Sequence, residues 1–421
     1  MAALTVVLLL AGVAGAVTRP WGVPAWSVPV VAAAIDVAAG ALAPAAAGRA
    51  LRPLAAPIGF LLAAVPLAIL LDRLGFFSSL ADVLARRGRG AGALWVLGAL
   101  VTTVLNLDAG VVLLTPLYVR FARSSGRDPF ALGAQPVLLA CLASSALPVS
   151  NLTNLIAQSE TGASTAAFLS HLALPSLAAC TVGWWCYRRA LGPGLSPTGG
   201  GASGVPAAVP AVPAVPGHGG AVLTRRALDS RRALAVGGVI VALVLVGFTV
   251  GHGFGVQPWM VALGADAVLI ALRREVPWRD VPVGTALVAL ALGVLAAAAV
   301  VHLPVGRLLG GDGVAGLART AGVTAAAANV VNNLPALLVT VPSVGGHPAP
   351  GLWAVLIGVN MGPVVLVTGS LASLLWLDAI GRLGVEARAR DFTRIGVRIG
   401  LPAAAAGLGV LLALRAAGLG G

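Results

Sequence analysis

Pro148-Val149-Ser150-Asn151-Leu152-Thr153-Asn154-Leu155 has a counterpart far down the chain, Val367-Thr368-Gly369-Ser370-Leu371-Ala372-Ser373-Leu374. Ser150 through Leu155 lies over Gly369 through Leu374 without a gap. Each block interrupts a long apolar run, Phe130–Ala157 and Gly351–Leu377, with short hydroxyl and amide side chains. Runs of that length cross a bilayer, so the polar blocks read as helix breaks at membrane depth. A helix interrupted in lipid frees N–H and C=O groups, tolerated only where they line a protein-enclosed cavity. Ser, Thr and Asn satisfy some of those groups and present the others to a solute. Half-helix N-termini add partial positive charge and C-termini partial negative charge. For any single Ser or Thr the alternative is plain helix–helix glue.

A second pair of motifs precedes the breaks. Asn106-Leu107-Asp108-Ala109-Gly110 leads to Thr115-Pro116, and Asn332-Asn333-Leu334-Pro335 leads to Thr340. Asp108 stands seven residues before Thr115, and Asn333 seven before Thr340, which gives a common register. As one straight helix, Gly90–Val119 would run about 45 Å, against a hydrocarbon core of about 30 Å. Its central Asn106 and Asp108, with Arg87, Arg89, Arg120 and Arg123 at its ends, favour a re-entrant hairpin from the cytoplasm. Gly316–Pro342 reads as its inverted partner; a tilted single span is the rival for each.

The rest of the chain frames these four elements. Of 421 residues, 58% are apolar and 10% charged, which excludes a soluble enzyme because lipid must be the main solvent. The net charge of +13 comes from Arg clusters between apolar runs, which act as topology signals and not as a nucleic-acid face. Gly192–Gly220 is a Gly/Pro/Ala run with Arg188 and Arg189 before it and Arg225, Arg226, Arg231 and Arg232 after it, hence a cytoplasmic linker. It separates a first repeat, 1–190, from a second, 232–421, with 191–231 as linker.

The first repeat takes spans at Ala3–Val17, Ser27–Ala47, Leu54–Leu71, Phe130–Ala157 and Ser164–Tyr187, with an amphipathic stretch at Phe76–Arg86. The second takes Leu234–Val250, Gln257–Leu272, Val281–Val301, Gly351–Leu377 and Gly396–Leu414. Five spans in each half make the halves oppositely oriented. The expected fold is therefore an all-α polytopic membrane protein, an inverted repeat of two five-helix halves, each with a hairpin and a broken helix. Arg49 and Arg52 fall on the outer side, against the charge rule.

Asp108 is the sharpest single residue, since a carboxylate costs roughly 2.5–3.5 kcal/mol at bilayer depth and is usually functional. Burial disfavours the charged form of a carboxyl, which suits Asp108 to carrying a coupling proton; a buried structural hydrogen bond is the alternative. Asp36 and Asp266 belong to no repeated motif and read as structural. His171, His252, His302 and His347 lie mostly near span ends, and Cys141, Cys180 and Cys186 lack metal-ligand spacing. No metal, cofactor or catalytic motif is present, so a transporter is expected and an enzyme is not.

At these motifs the chain resembles the ion-transporter superfamily, above all the ArsB-type arsenite/antimonite efflux permeases. The run Gly369-Ser370-Leu371-Ala372-Ser373-Leu374-Leu375-Trp376 is similar to that family's Gly-Ser-Leu-Ala-Thr-Leu-Leu-Trp signature. Departures are Leu107 before Asp108, where the family has Asn, and Val364, where a Lys often follows Gly-Pro. The resemblance implies a cell-membrane antiporter that exports arsenite or antimonite against protons by elevator-like alternating access. Asp108 would handle the proton. Asn106, Thr115, Ser150, Asn151, Thr153, Asn154, Asn332, Asn333, Thr368, Gly369, Ser370 and Ser373 would form one substrate site. A homodimer and, as in some relatives, a cytoplasmic ATPase are further candidate partners; the linker's basic flanks could serve the ATPase, although topology alone explains them. The rival on the same scaffold is a sodium- or proton-coupled carrier of a small anion such as a carboxylate.

Overall fold

The computed structural model describes all residues except 78, 81–82, 84–89, 196–218, 346–347 and 419–421. Among the described residues it is helical throughout, with no strand. The first half contains α1 (Ala2–Thr18), α2 (Ser27–Ala38), α3 (Pro44–Leu51) and α4 (Ala55–Arg73). It continues with α5 (Gly90–Val104), α6 (Leu107–Ser124), α7 (Pro129–Gly133), α8 (Gln135–Leu142), α9 (Leu152–Thr161) and α10 (Thr165–Leu195). The second half contains α11 (Gly219–Val250), α12 (Pro258–Arg273), α13 (Val283–His302), α14 (Val314–Val331) and α15 (Asn333–Thr340). It ends with α16 (Pro350–Met361), α17 (Leu371–Arg382), α18 (Ala389–Ile395) and α19 (Leu401–Ala416).

Among the described residues, six helical stretches are long and apolar enough to cross a membrane: Pro44–Arg73, Thr165–Leu195, Ser230–Phe248, Trp278–His302, Val314–Val331 and Ala389–Ala416. Both runs expected as hairpins are broken into two helices. Helices α5 and α6 pack on each other across a break at Leu105–Asn106, and α14 and α15 across a break at Asn332. At 15 residues α5 runs about 22 Å, too short to span the hydrocarbon core. Both long polar-centred runs are also broken as expected. The first is interrupted between α8 and α9, the second between α16 and α17, each with a 3-10 turn just before the second half-helix (Pro148–Ser150 and Val367–Gly369).

Three expectations need correction. Ser27–Ala47 is not one helix. Gly40 adopts φ +77° and Ala43 is extended before Pro44, so the chain turns and restarts as α3. From there it runs on through a 3-10 turn at Arg52–Leu54 into α4, so Arg49 and Arg52 sit within a helical run. The span 191–231 is not all linker either: α10 reaches Leu195 and α11 begins at Gly219. Residues 196–218, most of Phe76–Arg86, and His347 lie outside the described residues. The hairpin register also departs from the expected seven-residue spacing, because the caps fall at Asn106 and Asn332.

The packing is reciprocal between the halves. Helix α4 packs on α12 as α13 packs on α2, α5 on α8 as α14 on α16, and α4 on α6 as α13 on α15. Across the halves, α6 meets α17 as α15 meets α9, while α10 and α19 lie against each other. Small residues permit the closest of these approaches. A Cβ on Gly358 of α16 would lie 1.9 Å from Thr324 Oγ1 and 2.5 Å from the Ala321 carbonyl of α14. Three apolar cores result. One surrounds the broken helices and hairpins (Val137, Leu172, Trp353, Trp376), one joins α4 to α6, α11 and α12, and one joins α1, α2 and α13.

Candidate functional site

Four half-helices begin at one place. Each carries a capping side chain that accepts a hydrogen bond from the amide two residues on, satisfying one of the free N–H groups of a first turn. Asn106 Oδ1 accepts from Asp108 N at 2.8 Å, and Asn332 Oδ1 from Leu334 N at 3.3 Å. Asn151 Oδ1 accepts from Thr153 N at 3.1 Å, and Ser370 Oγ from Ala372 N at 3.2 Å. Asn151 and Ser370, paired by the sequence alignment, have nearly the same backbone, φ −149° with ψ 140° and φ −144° with ψ 144°.

The hairpin caps correct the seven-residue register. The caps are Asn106 and Asn332, so Asp108 corresponds in position to Leu334, not to Asn333. Both caps occupy a region of positive φ with extended ψ, 155° and 153° at Asn106 and 76° and 154° at Asn332. Such conformations are essentially confined to glycine and cost about 1–3 kcal/mol. The strain is therefore stored twice, once at each hairpin tip.

The first turns of the four half-helices enclose a cavity lined by Asp108, Asn151, Thr153, Asn333, Ser370 and, from α13, Thr285. Its volume is about 20 Å³, room for about one water. Among the described residues no arginine lines it. The Asp108 carboxyl has a buried Oδ1 without a partner, and Asn106 Nδ2 is buried and unpaired as well. Four helix N-termini give the point a positive potential, and hydroxyl and amide groups give it neutral donors and acceptors.

The remaining expected residues stand around this point without lining it. Ser150 Oγ donates to the Ser144 and Leu147 carbonyls, at 2.7 and 2.6 Å. Asn154 Nδ2 gathers the Ser144 and Leu147 carbonyls, both at 2.9 Å, so it repairs the break instead of facing a solute. Thr368 holds the equivalent break: its carbonyl accepts from Asn332 Nδ2 at 3.1 Å, and its hydroxyl donates to the Asn329 carbonyl at 3.3 Å. Gly369 is required by close packing, since a Cβ there would lie 2.7 Å from that of Pro363. Thr115 and Ser373 are fully buried, with hydroxyls that have no partner.

Two asparagines that motif comparison passed over complete the site. Asn360, at the end of α16, accepts on Oδ1 from Asn151 Nδ2 at 3.0 Å and Thr153 Oγ1 at 2.6 Å. Its Nδ2 donates to Asn154 Oδ1 at 2.6 Å. Asn329 of α14 donates to the Gly362 carbonyl at 2.8 Å and accepts from Leu366 N at 2.9 Å. In the first half Thr103 of α5 donates to the Ala143 carbonyl at 2.9 Å, at the matching point of its own break. The available signal was, for Asn360, a lone amide inside an otherwise apolar run and, for Asn329, a third amide just three residues before Asn332. Three other ionisable groups make structural contacts. Asp36 accepts from Thr5 at 3.1 Å, His302 contacts the Ala41 carbonyl at 3.0 Å, and His171 stacks on Trp353. Among the described residues no group of three His, Cys, Asp or Glu side chains forms a metal site.

Residues 1–388 match the sequence profile of a family described as citrate transporter. Characterised relatives are also similar. The arsenical pump membrane protein of Yersinia enterocolitica is 26% identical over 375 residues, covering 81% of this chain and 82% of the relative. Proteins of the same name from Escherichia coli are 26% identical over 373 residues and, in strain K12, 25% over 377, at the same coverage. Among solved structures, the YdaH transporter of Alcanivorax borkumensis superposes with a TM-score of 0.56 at 15% identity, over 91% of this chain and 88% of that one. That likeness concerns the fold.

Proposed function

This chain belongs to the citrate transporter family and is a multi-pass membrane transporter, and we propose that it exports arsenite or antimonite in exchange for protons. The observation that carries the reading is the cavity where four half-helices begin, with one carboxyl, neutral amides and hydroxyls, and no arginine. At neutral pH trivalent arsenic is mainly an uncharged trihydroxide, a small polyol that such groups hold by hydrogen bonds without a countercharge. The name shared by the arsenical pump relatives points the same way. Asp108 is the proton carrier: among the described residues it alone brings a titratable side chain to the cavity, and its buried Oδ1 is free of partners. Asn151, Thr153, Asn333 and Ser370 contact the solute, while Asn106, Asn154, Asn332 and Thr368 hold the breaks open.

The reciprocal packing supports an inverted repeat, with 1–190 and 232–421 as its units. In the elevator reading the hairpins and broken helices move together against α1, α2, α12 and α13. A second reading, a carboxylate carrier coupled to sodium or protons, is favoured by the positive potential of four converging N-termini and by the family description.

Everted membrane vesicles distinguish the two. Under an imposed proton gradient without sodium, wild-type protein accumulates arsenite and Asp108→Asn, folded in the membrane, does not. A folded wild type that moves citrate or another small carboxylate and leaves arsenite outside would overturn the arsenite reading.

A further inference from the structure

A crevice of about 470 Å³ lies between α5 and α10, away from the transport cavity. Its walls are apolar (Trp95, Val96, Leu100, Leu177, Trp184), and its floor is Ala143 and Ala146 from the interrupted stretch after α8. Val96, Leu100 and Leu177 are each more than half exposed and form its open rim, where a membrane protein meets lipid. The two walls run antiparallel: a Cβ on Gly92 would lie 3.3 Å from the Trp184 ring. The lining reaches from Gly92 to Thr103 on one wall and from Trp184 back to Ala173 on the other. Eleven residues of helix rise about 16 Å, close to one leaflet, which is half of a hydrocarbon core of about 30 Å.

The ends of the crevice differ. At the deep end Thr103 Oγ1 is already taken by the Ala143 carbonyl, and what the slot offers there is an uncharged hydroxyl, the buried and unpartnered Ser176 Oγ. At the shallow end Arg188 lies over Trp184, 5.9 Å from the ring centroid, and Arg189 over Trp185 at 3.6 Å. Both arginines are exposed, and among the described residues neither has an ion-pair partner. An apolar slot one leaflet long, ending at two uncompensated guanidinium groups, fits an amphiphile with an anionic head.

We propose that this crevice is a binding site for an anionic phospholipid, with one acyl chain in the slot between α5 and α10 and the phosphate on Arg188 and Arg189. The chain would pack on the floor at Ala143 and Ala146 and brace the unwound segment from outside.

The test is lipid titration of delipidated, purified protein, read by native mass spectrometry and by thermal melting. Phosphatidylglycerol is compared with phosphatidylcholine of the same chains. Expected is retention of phosphatidylglycerol and a higher melting temperature with it than with phosphatidylcholine. Replacing both cations (Arg188→Ala with Arg189→Ala) should weaken phosphatidylglycerol binding roughly thirtyfold, from about 1 kcal/mol for each basic residue near the surface. Arg188→Lys with Arg189→Lys should keep it. Ala99→Trp, which fills the slot, should abolish the retained lipid. Equal stabilisation by the two lipids overturns the proposal, as does retention of phosphatidylglycerol in the filled variant. If the alanine variant does not fold, the lysine variant and the lipid comparison decide.

Discussion

Asn360→Leu removes three buried hydrogen bonds while keeping side-chain volume roughly constant. The lost partners are Asn151 Nδ2, Thr153 Oγ1 and Asn154 Oδ1, at 3.0, 2.6 and 2.6 Å. Hydrogen bonds between membrane helices average about 0.6 kcal/mol and reach about 1.7, so three amount to roughly 2 kcal/mol if their partners find replacements. They have little opportunity, because Asn151, Thr153 and Asn154 are all within 2% of full burial. A buried polar group left without a partner costs about 1–3 kcal/mol. The expected destabilisation is therefore about 2–5 kcal/mol, centred on the first half's broken helix although the substitution lies in the second. The assay is reversible denaturation of the purified protein in lipid nanodiscs, in a cycle with Asn154→Leu. The two substitutions share a bond, so their effects should fall short of additive by about 1 kcal/mol. A variant within about 0.5 kcal/mol of wild type, or strict additivity in the cycle, would refute the view that this amide holds the break together.

The other expectations are more local. Asn106→Ala should cost about 1–2 kcal/mol through the lost cap, whereas Asn106→Gly should be neutral or stabilising in a melting experiment because glycine relieves the positive-φ strain. Gly358→Ala should lower thermal stability by at least about 1–3 kcal/mol, since its Cβ would meet Thr324 Oγ1 and the Ala321 carbonyl; wild-type melting would contradict the packing described. Arg73→Ala breaks contacts to Glu275 and Asp280, at the end of α4, but all three side chains are about a third or more exposed. Its effect on melting should stay below about 1 kcal/mol and shrink with added salt.

Much of this arrangement was legible in the sequence because the bilayer penalises polar backbone so heavily. A Ser or Asn block inside an apolar run has few explanations, and so both breaks, both hairpins and the pairing of Asn151 with Ser370 were readable before any coordinates. Spacing alone misjudged the hairpin register, because it matched Thr115 with Thr340 while the structural equivalence runs through the caps Asn106 and Asn332. The Ser27–Ala47 run gave no polar signal at its turn; Gly40 and Pro44, in a segment rich in small residues, mark the place. Asn360 and Asn329 went unnoticed because they repeat no motif, although a lone amide in lipid asks for a partner as insistently as a cluster does. Conversely Ser150, Asn154 and Thr368 carry the right chemistry for a solute and spend it on backbone carbonyls around the breaks.

The bonds from Asn360 have a consequence for biogenesis. The side chains they satisfy lie 206–209 positions earlier in the chain. At roughly 5–20 residues per second of synthesis, the first half waits about 10–40 s in the membrane before its last partner is made. During that interval Asn154 can already collect the nearby carbonyls of its own break, but Asn151 Nδ2 keeps only a long contact to Ser144 Oγ, at 3.4 Å, and the Thr153 hydroxyl lacks its Asn360 partner. A ribosome that stalls after α10 therefore leaves an inserted, half-mended helix, the species that a membrane quality-control protease would meet first.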